Sequence, residues 1–117
     1  IFGINLIYFD LDKWNIRPDA AIDIAKILDV MMQYPTMKVD IRSHTDSRQT
    51  HRYNQTLSDR RATATMDFMI KNGIDKSRLT AKGYGETELV NECKDNVPCS
   101  EAQHQKNRRS EFIILKM

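Results

Sequence analysis

Residues 37–73 read MKVDIRSHTDSRQTHRYNQTLSDRRATATMDFMIKNG, and this stretch decides the fold. Apolar and charged residues alternate strictly over 37–42, which predicts a strand with one buried face. The segment 43–50 is polar throughout and predicts a loop. Apolar residues then return at helical spacing over 51–72, and Gly73 is suited to end this helix in a left-handed conformation. The stretch therefore predicts a strand, a loop and a long helix in succession.

The sequence on either side predicts three more strands and a second long helix. The strands are apolar or alternating segments at 5–9, 79–84 and 109–115. The helix is predicted over 18–33, because Pro18 suits its first position and Pro35 prevents its continuation. The polar segment 86–107 is predicted to be an insertion that contains a short helix from Ser100.

These elements, in the order β-α-β-α-β-insertion-β, predict an α/β sandwich. Two β-α-β crossovers require parallel strands, so we expect a mixed four-stranded sheet with both main helices on one face. A length of 117 residues fits one domain, spanning 1–117. Because the chain starts at Ile1 without a leader-like segment, we expect it to be a fragment or a processed product of a longer protein.

Composition excludes several functional classes. Apolar residues make up 40% of the chain and charged residues 29%, which excludes a disordered or fibrous protein. No apolar run approaches the roughly 18 residues that a membrane span needs. The net charge is only +2, and the basic clusters lack the interleaved aromatic residues of a nucleic-acid binder, so no nucleic-acid partner is predicted. Trp14 and Tyr53 are assigned to packing instead.

Residues 43–62 read SHTDSRQTHRYNQTLSDRRA and resemble the signature of the OmpA-like C-terminal domain, whose core is GHTD, then YNxxLS, then RRA. Three other segments agree with this family in the same order: IYFDLDK at 7–13, GYGE at 83–86 and NRRSEF at 107–112. Ser43 stands where the family usually has glycine. The insertion with its two cysteines is similar to the version in OmpA-like domains of Bacteroidetes-type outer-membrane proteins, some of them attached to secretion-machine lipoproteins.

The resemblance implies non-covalent binding of peptidoglycan through meso-diaminopimelate in the stem peptide. The free end of this residue carries an ammonium and a carboxylate on one carbon, so its site needs an anion and a guanidinium close together. Asp46 can accept from the ammonium, Arg61 can hold the carboxylate with two parallel hydrogen bonds, and Asn54 supplies both a donor and an acceptor. Asn54, Leu57 and Arg61 lie at i, i+3 and i+7, so they share one side of the second helix. Alanine at Asp46 or Arg61 is expected to abolish binding to purified sacculi and to leave the fold intact. The full set of ligand residues carried over from the family's motifs is Leu11, Asp12, Thr45, Asp46, Asn54, Leu57 and Arg61.

The resemblance also implies where the domain acts and what it contacts. It suggests a location in the periplasm, attached to the outer membrane, and partners that are the stem peptide and an outer-membrane protein or lipoprotein in the same chain or complex. Disulfides persist there, so a Cys93–Cys99 bridge is favoured over two free thiols, although a cysteine pair alone cannot specify one. The bridge is expected to play no part in recognition, because the ligand residues lie far from it in sequence.

Three alternatives to this interpretation are open at this point. Asp46 and Arg61 could form only a structural salt bridge, or pair with each other until a ligand replaces that pairing. The protein could be a peptidoglycan hydrolase, which would need a zinc site or two suitably placed carboxylates. It could also be a protein-interaction domain that no longer binds the cell wall.

No catalytic residue, metal site or cofactor is predicted. The three histidines show no zinc-ligand spacing, and His44 stands at a position of structural type in the family. Asp10 and Asp12 offer too few oxygens for calcium or magnesium. The arginines of the family's NRR motif mostly hold loops and the last strand, so Arg108 and Arg109 are assigned structural roles.

Overall fold

The computed structural model describes residues 6–116, which form a four-stranded sheet, two long helices and a short third helix. In chain order the elements are β1 (Leu6–Tyr8), α1 (Pro18–Gln33), β2 (Lys38–Ser43), α2 (His51–Lys71), β3 (Leu79–Gly83), α3 (Glu101–Gln105) and β4 (Arg109–Lys116). The predicted order of strands and helices is confirmed. None of the helices within this range combines the length and the apolar character needed to cross a lipid bilayer.

Element boundaries agree closely with the sequence patterns. The first helix has the predicted bounds, and the second helix and third strand each end one residue earlier than predicted. Met37 is buried but precedes β2, whereas Ser43 extends β2 because it pairs with residues in both neighbouring strands. Phe9 follows β1, and Asn5, the first residue of the predicted strand, lies outside the described residues.

The strands lie in the order β1-β4-β2-β3, with β2 and β3 parallel and β4 antiparallel to both of its neighbours. The sheet is therefore mixed, as predicted, and its last strand is inserted between the first two. This arrangement places the end of β2 beside the start of β4, where Ser43 pairs with Ser110. The segment that leaves β2 and the segment that enters β4 consequently meet in space.

The hydrophobic core lies between the sheet and the two long helices. Alternation in β2 buries Val39 and Ile41 and leaves Lys38 exposed. Full burial of such an apolar side chain stabilises the fold by about 1.5–3 kcal/mol. Because both helices share one core with the same face of β2, both lie on one side of the sheet. Their largest contributions to this core are Ile24, Ile27, Leu28, Met31 and Met69.

The insertion between β3 and β4 depends on a disulfide and on local hydrogen bonds. Cys93 and Cys99 are bridged, with their Cα atoms 5.9 Å apart, so the predicted disulfide is confirmed. The predicted short helix is α3, and Ser100 caps it. The Ser100 hydroxyl accepts from the backbone N–H of Gln103, and the Gln103 side chain accepts from the backbone N–H of Ser100.

Candidate functional site

The turn after β1, the loop after β2 and the first half of α2 meet in a narrow cleft. All seven predicted ligand residues line it, together with Gln49 and Arg108, which the sequence did not indicate. The volume of the cleft is about 10 Å³, which is room for about one water molecule. A ligand that enters must therefore displace side chains at the mouth, where Leu11 is 44% exposed. The buried members of the lining are Thr45, Asp46, Asn54, Leu57, Arg61 and Arg108.

Two glycines of the GYGE segment hold the loop after β2 against α2. Gly83 lies so close to the helix that a Cβ atom at this position would be 2.4 Å from the backbone nitrogen of Asp59. Gly85 has a φ of 56°, in the left-handed region, and its N–H donates to the hydroxyl of Ser58 at 2.8 Å. The carbonyl of Gly85 accepts from the N–H of Thr45 at 2.9 Å. The segment thus fixes one wall of the cleft.

Arg61 is fully buried at the base of the cleft, where it joins three backbone segments. Its Nε donates to the carbonyl of Lys13 at 2.8 Å, its Nη1 to that of His44 at 3.0 Å and its Nη2 to that of Asp10 at 3.0 Å. Asp12 has a φ of 55°, and the turn that it forms directs carbonyls on both of its sides toward the guanidinium. The side chain therefore connects the turn after β1 and the end of β2 to α2.

This environment refines the role predicted for Arg61. Burial lowers the pKa of Arg61 to about 10, with a smaller contribution from the positive charge of Arg108. The guanidinium therefore stays charged at neutral pH. The remaining N–H of each Nη can still donate to a further acceptor, which is compatible with a two-pronged contact to a carboxylate. The three carbonyl contacts argue against the expectation that alanine would leave the fold intact, because all three carbonyls would lose their charged donor.

Asp46 supplies the negative charge of the cleft and is 4% exposed. Its Oδ1 accepts from the backbone N–H of Arg48 at 3.0 Å, and its Oδ2 accepts from Arg48 Nη2 at 2.8 Å and Arg108 Nη1 at 3.1 Å. Burial alone would raise the pKa of Asp46, but the hydrogen bonds from Arg48 and Arg108 outweigh it and lower that pKa below its ordinary value. In the described part of the chain, Asp46 pairs with these two arginines and not with Arg61, in contrast to the direct salt bridge considered from the sequence.

Arg108 lines the cleft, although only a structural role was predicted for it. It does hold a loop as expected, because its Nε donates to the carbonyl of Phe9 at 2.9 Å. Its Nη1 also reaches Asp46, and only 4% of its side chain is exposed. The pairing of Ser43 with Ser110 explains the contact, since residues just before β4 lie beside residues just after β2. Because no local sequence pattern states that β2 and β4 are neighbours, the sequence carried no signal for this role of Arg108.

His44 and Arg109 have the structural roles that were predicted. His44 is buried, with its Nε2 2.6 Å from Oε1 of Glu111 and its ring stacked on Tyr84 at a centroid distance of 5.6 Å. Burial is the main cause that lowers the pKa of His44, so the ring is neutral at pH 7. Arg109 donates to two backbone carbonyls of the insertion. Neither side chain lines the cleft.

The other polar groups of the cleft differ in their hydrogen bonding. Asn54 Nδ2 donates to Oε1 of Glu86 at 3.0 Å, which orients the amide from the side of the insertion. Asp12, on the rim, accepts from the hydroxyl of Tyr53 at 3.3 Å. The buried hydroxyl of Thr45 has no hydrogen-bond partner among the described residues. A polar ligand atom in the cleft would give Thr45 such a partner.

The aromatic residues near the rim do not belong to the core. Trp14 is 43% exposed and Tyr53 is 42% exposed, so the packing predicted for both covers only part of each side chain. The guanidinium carbon of Arg60 lies 4.7 Å from the centroid of the Trp14 ring, a cation–π contact that fixes the indole at the surface. Both aromatic side chains are therefore accessible beside the cleft.

The insertion lies against the cleft, although it is remote from it in sequence. The carbonyl of Cys93 accepts from the hydroxyl of Ser47, and Glu101 pairs with Arg48 at 2.7 Å. Arg48 thereby bridges the insertion to Asp46. The expectation that the insertion plays no part in recognition rested on distance along the sequence. In the folded chain the insertion contacts the loop that carries Asp46.

Among the described residues, one group outside the cleft has side chains of the kind that bind metals. His51, Glu86 and Asp95 each offer one ligand atom, and these atoms lie within 4.8 Å of one another. The ring nitrogens of His51 are 3.2 Å from Oε1 of Glu86 and 3.6 Å from Oδ2 of Asp95. Contacts of the His51 ring with the two carboxylates account for this arrangement, so we assign no metal to it.

Comparison with known proteins agrees with the fold. Residues 8–105 match the OmpA family. The chain is 41% identical over 106 residues to outer membrane porin F of Pseudomonas fluorescens, which covers 91% of this chain and 31% of the porin. It is 33% identical over 116 residues to the peptidoglycan-associated lipoprotein of Agrobacterium fabrum, which covers 97% of this chain and 63% of the lipoprotein. The crystal structure of the peptidoglycan-associated lipoprotein from Burkholderia pseudomallei has the same fold, with a TM-score of 0.86 at 22% identity over 96% of this chain and 91% of that one.

The chain thus spans less than two thirds of the length of the porin and of the Agrobacterium lipoprotein. These relatives are named as a porin and a lipoprotein, which agrees with the prediction that the chain is not an enzyme. The family match covers most of the chain, and the order of the strands and helices is the one that the motifs predicted. The chain belongs to the OmpA family.

Proposed function

We propose that this domain binds peptidoglycan non-covalently, through the free diaminopimelate end of the stem peptide. The observation that carries the proposal is the lining of the cleft, where buried Asp46 and Arg61 lie together with the unpartnered hydroxyl of Thr45. A ligand with an ammonium and a carboxylate on one carbon needs opposite charges at short range. Membership in the OmpA family, and similarity to a protein named as peptidoglycan-associated, support the same ligand class.

The ligand ammonium would bind to Asp46 in place of Arg48. Arg48 is the outer partner of Asp46, with 31% of its side chain exposed, whereas only 4% of the Arg108 side chain is exposed. Arg48 can leave Asp46 and keep its ion pair with Glu101. The buried carboxylate then exchanges one cation for another, which avoids the cost of an uncompensated buried charge. Asp12 supplies a second carboxylate at the rim for the same ammonium.

The ligand carboxylate would bind at the base of the cleft. Arg61 donates to it with the N–H groups that its backbone contacts leave over, and the hydroxyl of Thr45 gains a partner. Asn54 contributes its amide from the helix side. Leu57, which is 5% exposed, and Leu11, at the mouth, form the apolar wall for the methylene chain of diaminopimelate.

Binding of this kind would anchor an outer-membrane protein or a lipoprotein to the cell wall, in the periplasm. The similarity to an outer membrane porin and to a lipoprotein supports both classes of host. The likeness of the two-cysteine insertion to that of Bacteroidetes-type domains supports a secretion-machine lipoprotein as one such host. Residues 1–117 would act as a single wall-binding domain in either case.

Co-sedimentation with purified sacculi tests the proposal. Asp46→Asn keeps the size of the side chain and removes its charge, and we expect it to weaken binding by about 30-fold or more, because truncation of a buried charge pair costs about 2–5 kcal/mol. Asp29→Asn is the matched control, since Asp29 is exposed on α1, and it should pellet as wild type does. Equal pelleting of Asp46→Asn and wild type would contradict the proposed site.

The contact to the ligand carboxylate is tested by a change of ligand. Lysine-type sacculi lack this carboxylate, and amidated diaminopimelate lacks its negative charge, so Arg61 would lose its partner in both. We expect the domain to bind both kinds of sacculi more weakly than it binds unmodified diaminopimelate-type sacculi in the same assay. Equal binding to all three would exclude the assignment of Arg61 to a carboxylate.

A further inference from the structure

We propose that a groove beside the cleft binds the glycan strand to which the stem peptide is attached. This inference rests on the proposed function and extends it from the peptide to the sugar. The groove runs along the exposed side of α2, where residues at i, i+3, i+4, i+7 and i+11 form one stripe. Its main lining residues are Trp14, Thr56, Asp59, Arg60, Thr63 and Asp67.

The groove is connected to the cleft through the turn after β1. Trp14 lines both the groove and a second cavity of about 330 Å³, and Asp12 lines both that cavity and the cleft. The groove has a volume of about 570 Å³, which lies within the range of about 300–1,000 Å³ found for small-ligand sites. One ligand can therefore extend from the cleft across the rim into the groove.

The length of the stem peptide matches this path. Diaminopimelate is the third residue of the stem, and three extended residues span at most about 10–11 Å. The sugar that carries the first residue must therefore lie within that span plus the length of the diaminopimelate side chain, whose free end occupies the cleft. Asp12 and Trp14 are separated by a single residue, which spans at most about 7 Å of chain. The groove thus begins within reach of that sugar.

The lining has the chemistry that a sugar ring requires. A pyranose has a face of C–H groups and hydroxyls along its edge, so it fits a flat aromatic surface bordered by donors and acceptors. The Trp14 indole supplies the flat surface, and Arg60 holds it in place from one side. The hydroxyls and carboxylates that border it belong to Thr56, Asp59, Thr63 and Asp67.

The charges around the groove favour an uncharged ligand. Asp59 and Asp67 offset Arg60 and the nearby Lys13, so there is no excess of positive charge to attract phosphate groups. The small side chain of Ala64 leaves the floor of the groove open between the polar residues. A polyhydroxylated, largely neutral strand suits this surface better than a nucleic acid does.

The single tryptophan of the chain permits a direct test, because its fluorescence reports on Trp14 alone. Two ligands are compared: the free stem peptide with diaminopimelate, and the muropeptide that carries the same peptide on its disaccharide. We expect the muropeptide to bind about 3- to 10-fold more tightly. We also expect it to shift the emission of Trp14 to shorter wavelength, and the free peptide to leave this emission unchanged.

Variants separate the groove from the cleft. Trp14→Ala should remove the advantage of the muropeptide and leave the affinity for the free peptide unchanged. Tyr34→Ala is the matched control, since Tyr34 is another aromatic side chain with 43% exposure, at the end of α1, and it should change neither affinity. Ala64→Glu fills the groove without altering Trp14, and it should cause the same selective loss even if Trp14→Ala does not fold.

The outcomes distinguish this inference from the proposed function. If the free peptide binds but the disaccharide adds no affinity and no change in Trp14 emission, the glycan site is overturned and the peptide site stands. An equal loss for both ligands in Trp14→Ala also overturns it, because Trp14 would then belong to the peptide site. Binding of the muropeptide without binding of the peptide would support the groove and contradict the diaminopimelate cleft. If neither ligand binds, both proposals are wrong.

Discussion

The cleft and the insertion are in contact, yet each region is held in its conformation by a different kind of interaction. In the cleft, Arg61 and Asp46 are buried, and each is fixed by hydrogen bonds to partners elsewhere in the chain. In the insertion, the charged Glu101 side chain is 60% exposed, and order comes from the disulfide and from the capped helix α3. The two regions share Arg48, which pairs with Asp46 on one side and Glu101 on the other.

This difference determines how far the effect of a substitution should spread. Removal of one partner from a buried ion pair typically costs about 3–5 kcal/mol, because a charge is left uncompensated. An exposed ion pair typically contributes only about 0–1 kcal/mol. Changes in the cleft should therefore affect the stability of the whole domain, whereas loss of an exposed ion pair or of the α3 cap in the insertion should remain more local.

Arg61→Ala is expected to have the largest effect on stability. The substitution leaves three backbone carbonyls, of which that of His44 is buried, without their charged donor, and we expect it to lower the free energy of unfolding by about 3–5 kcal/mol. Thermal unfolding would show a decrease in Tm on the order of 10–20 °C. The matched control is Arg60→Ala, the neighbouring arginine on the exposed side of the same helix, which should change Tm by only a few degrees. Similar Tm values for the two variants would show that the buried contacts of Arg61 contribute little to stability.

Loss of the Cys93–Cys99 bridge should have the next largest effect. In the chain-entropy model, a short closed loop of this kind contributes roughly 2 kcal/mol, so replacement of both cysteines by serine should lower Tm by several degrees. We also expect a modest loss of sacculus binding, because the carbonyl of Cys93 holds the hydroxyl of Ser47 in the loop of the cleft. Reduction of the wild-type protein is the control and should reproduce both changes. Unchanged binding in a folded double variant would separate the insertion from the site.

The order of elements could be predicted because it rests on local patterns, and the membership of the cleft because its residues match the motifs of the OmpA-like family. Helical periodicity puts Asn54, Leu57 and Arg61 on one side of α2, and the structure brings all three into the cleft. The polar loop that follows an alternating strand must emerge at the end of that strand, and this fixes Thr45 and Asp46 nearby.

Contacts that depend on strand order could not be predicted in the same way. Arg108 reaches Asp46 because β4 lies between β1 and β2, and no local pattern states that order. Two of the carbonyl partners of Arg61 likewise depend on the left-handed turn at Asp12. A single aspartate in the sequence does not predict such a turn. The contact of the insertion with Ser47 likewise depends on where the strands that precede the two segments lie in the sheet.

Acidification is expected to lower the free energy of unfolding, by less than the two substitutions above and over a narrow pH range. Because the fold lowers the pKa of Asp46 below its ordinary value of 3.8, the charged form stabilises the native state. This contribution is complete above the ordinary pKa and is lost as the pH falls through the lower pKa of the folded protein. The free energy of urea unfolding, measured for wild type and Asp46→Asn, should therefore differ by a constant amount between about pH 7 and pH 5, and the difference should shrink toward pH 3. A difference that disappeared already near pH 6 would contradict the lowered pKa.

The smallest effect is expected from the helix caps, and it tests most directly whether the two regions are independent. Thr50 caps α2 and Ser100 caps α3 with equivalent hydrogen bonds, 3.1 Å to the N–H of Tyr53 and 3.2 Å to the N–H of Gln103. Loss of such a cap typically costs about 1 kcal/mol. In Thr50→Ala this loss should appear in global unfolding, since α2 is packed into the core. The helix α3 has only 5 residues, too few to be stable alone, so Ser100→Ala should instead increase amide hydrogen exchange within α3 and leave Tm nearly unchanged. If Ser100→Ala lowered Tm as much as Thr50→Ala does, α3 would unfold together with the cleft, and the Arg48 bridge would couple the two regions into one cooperative unit.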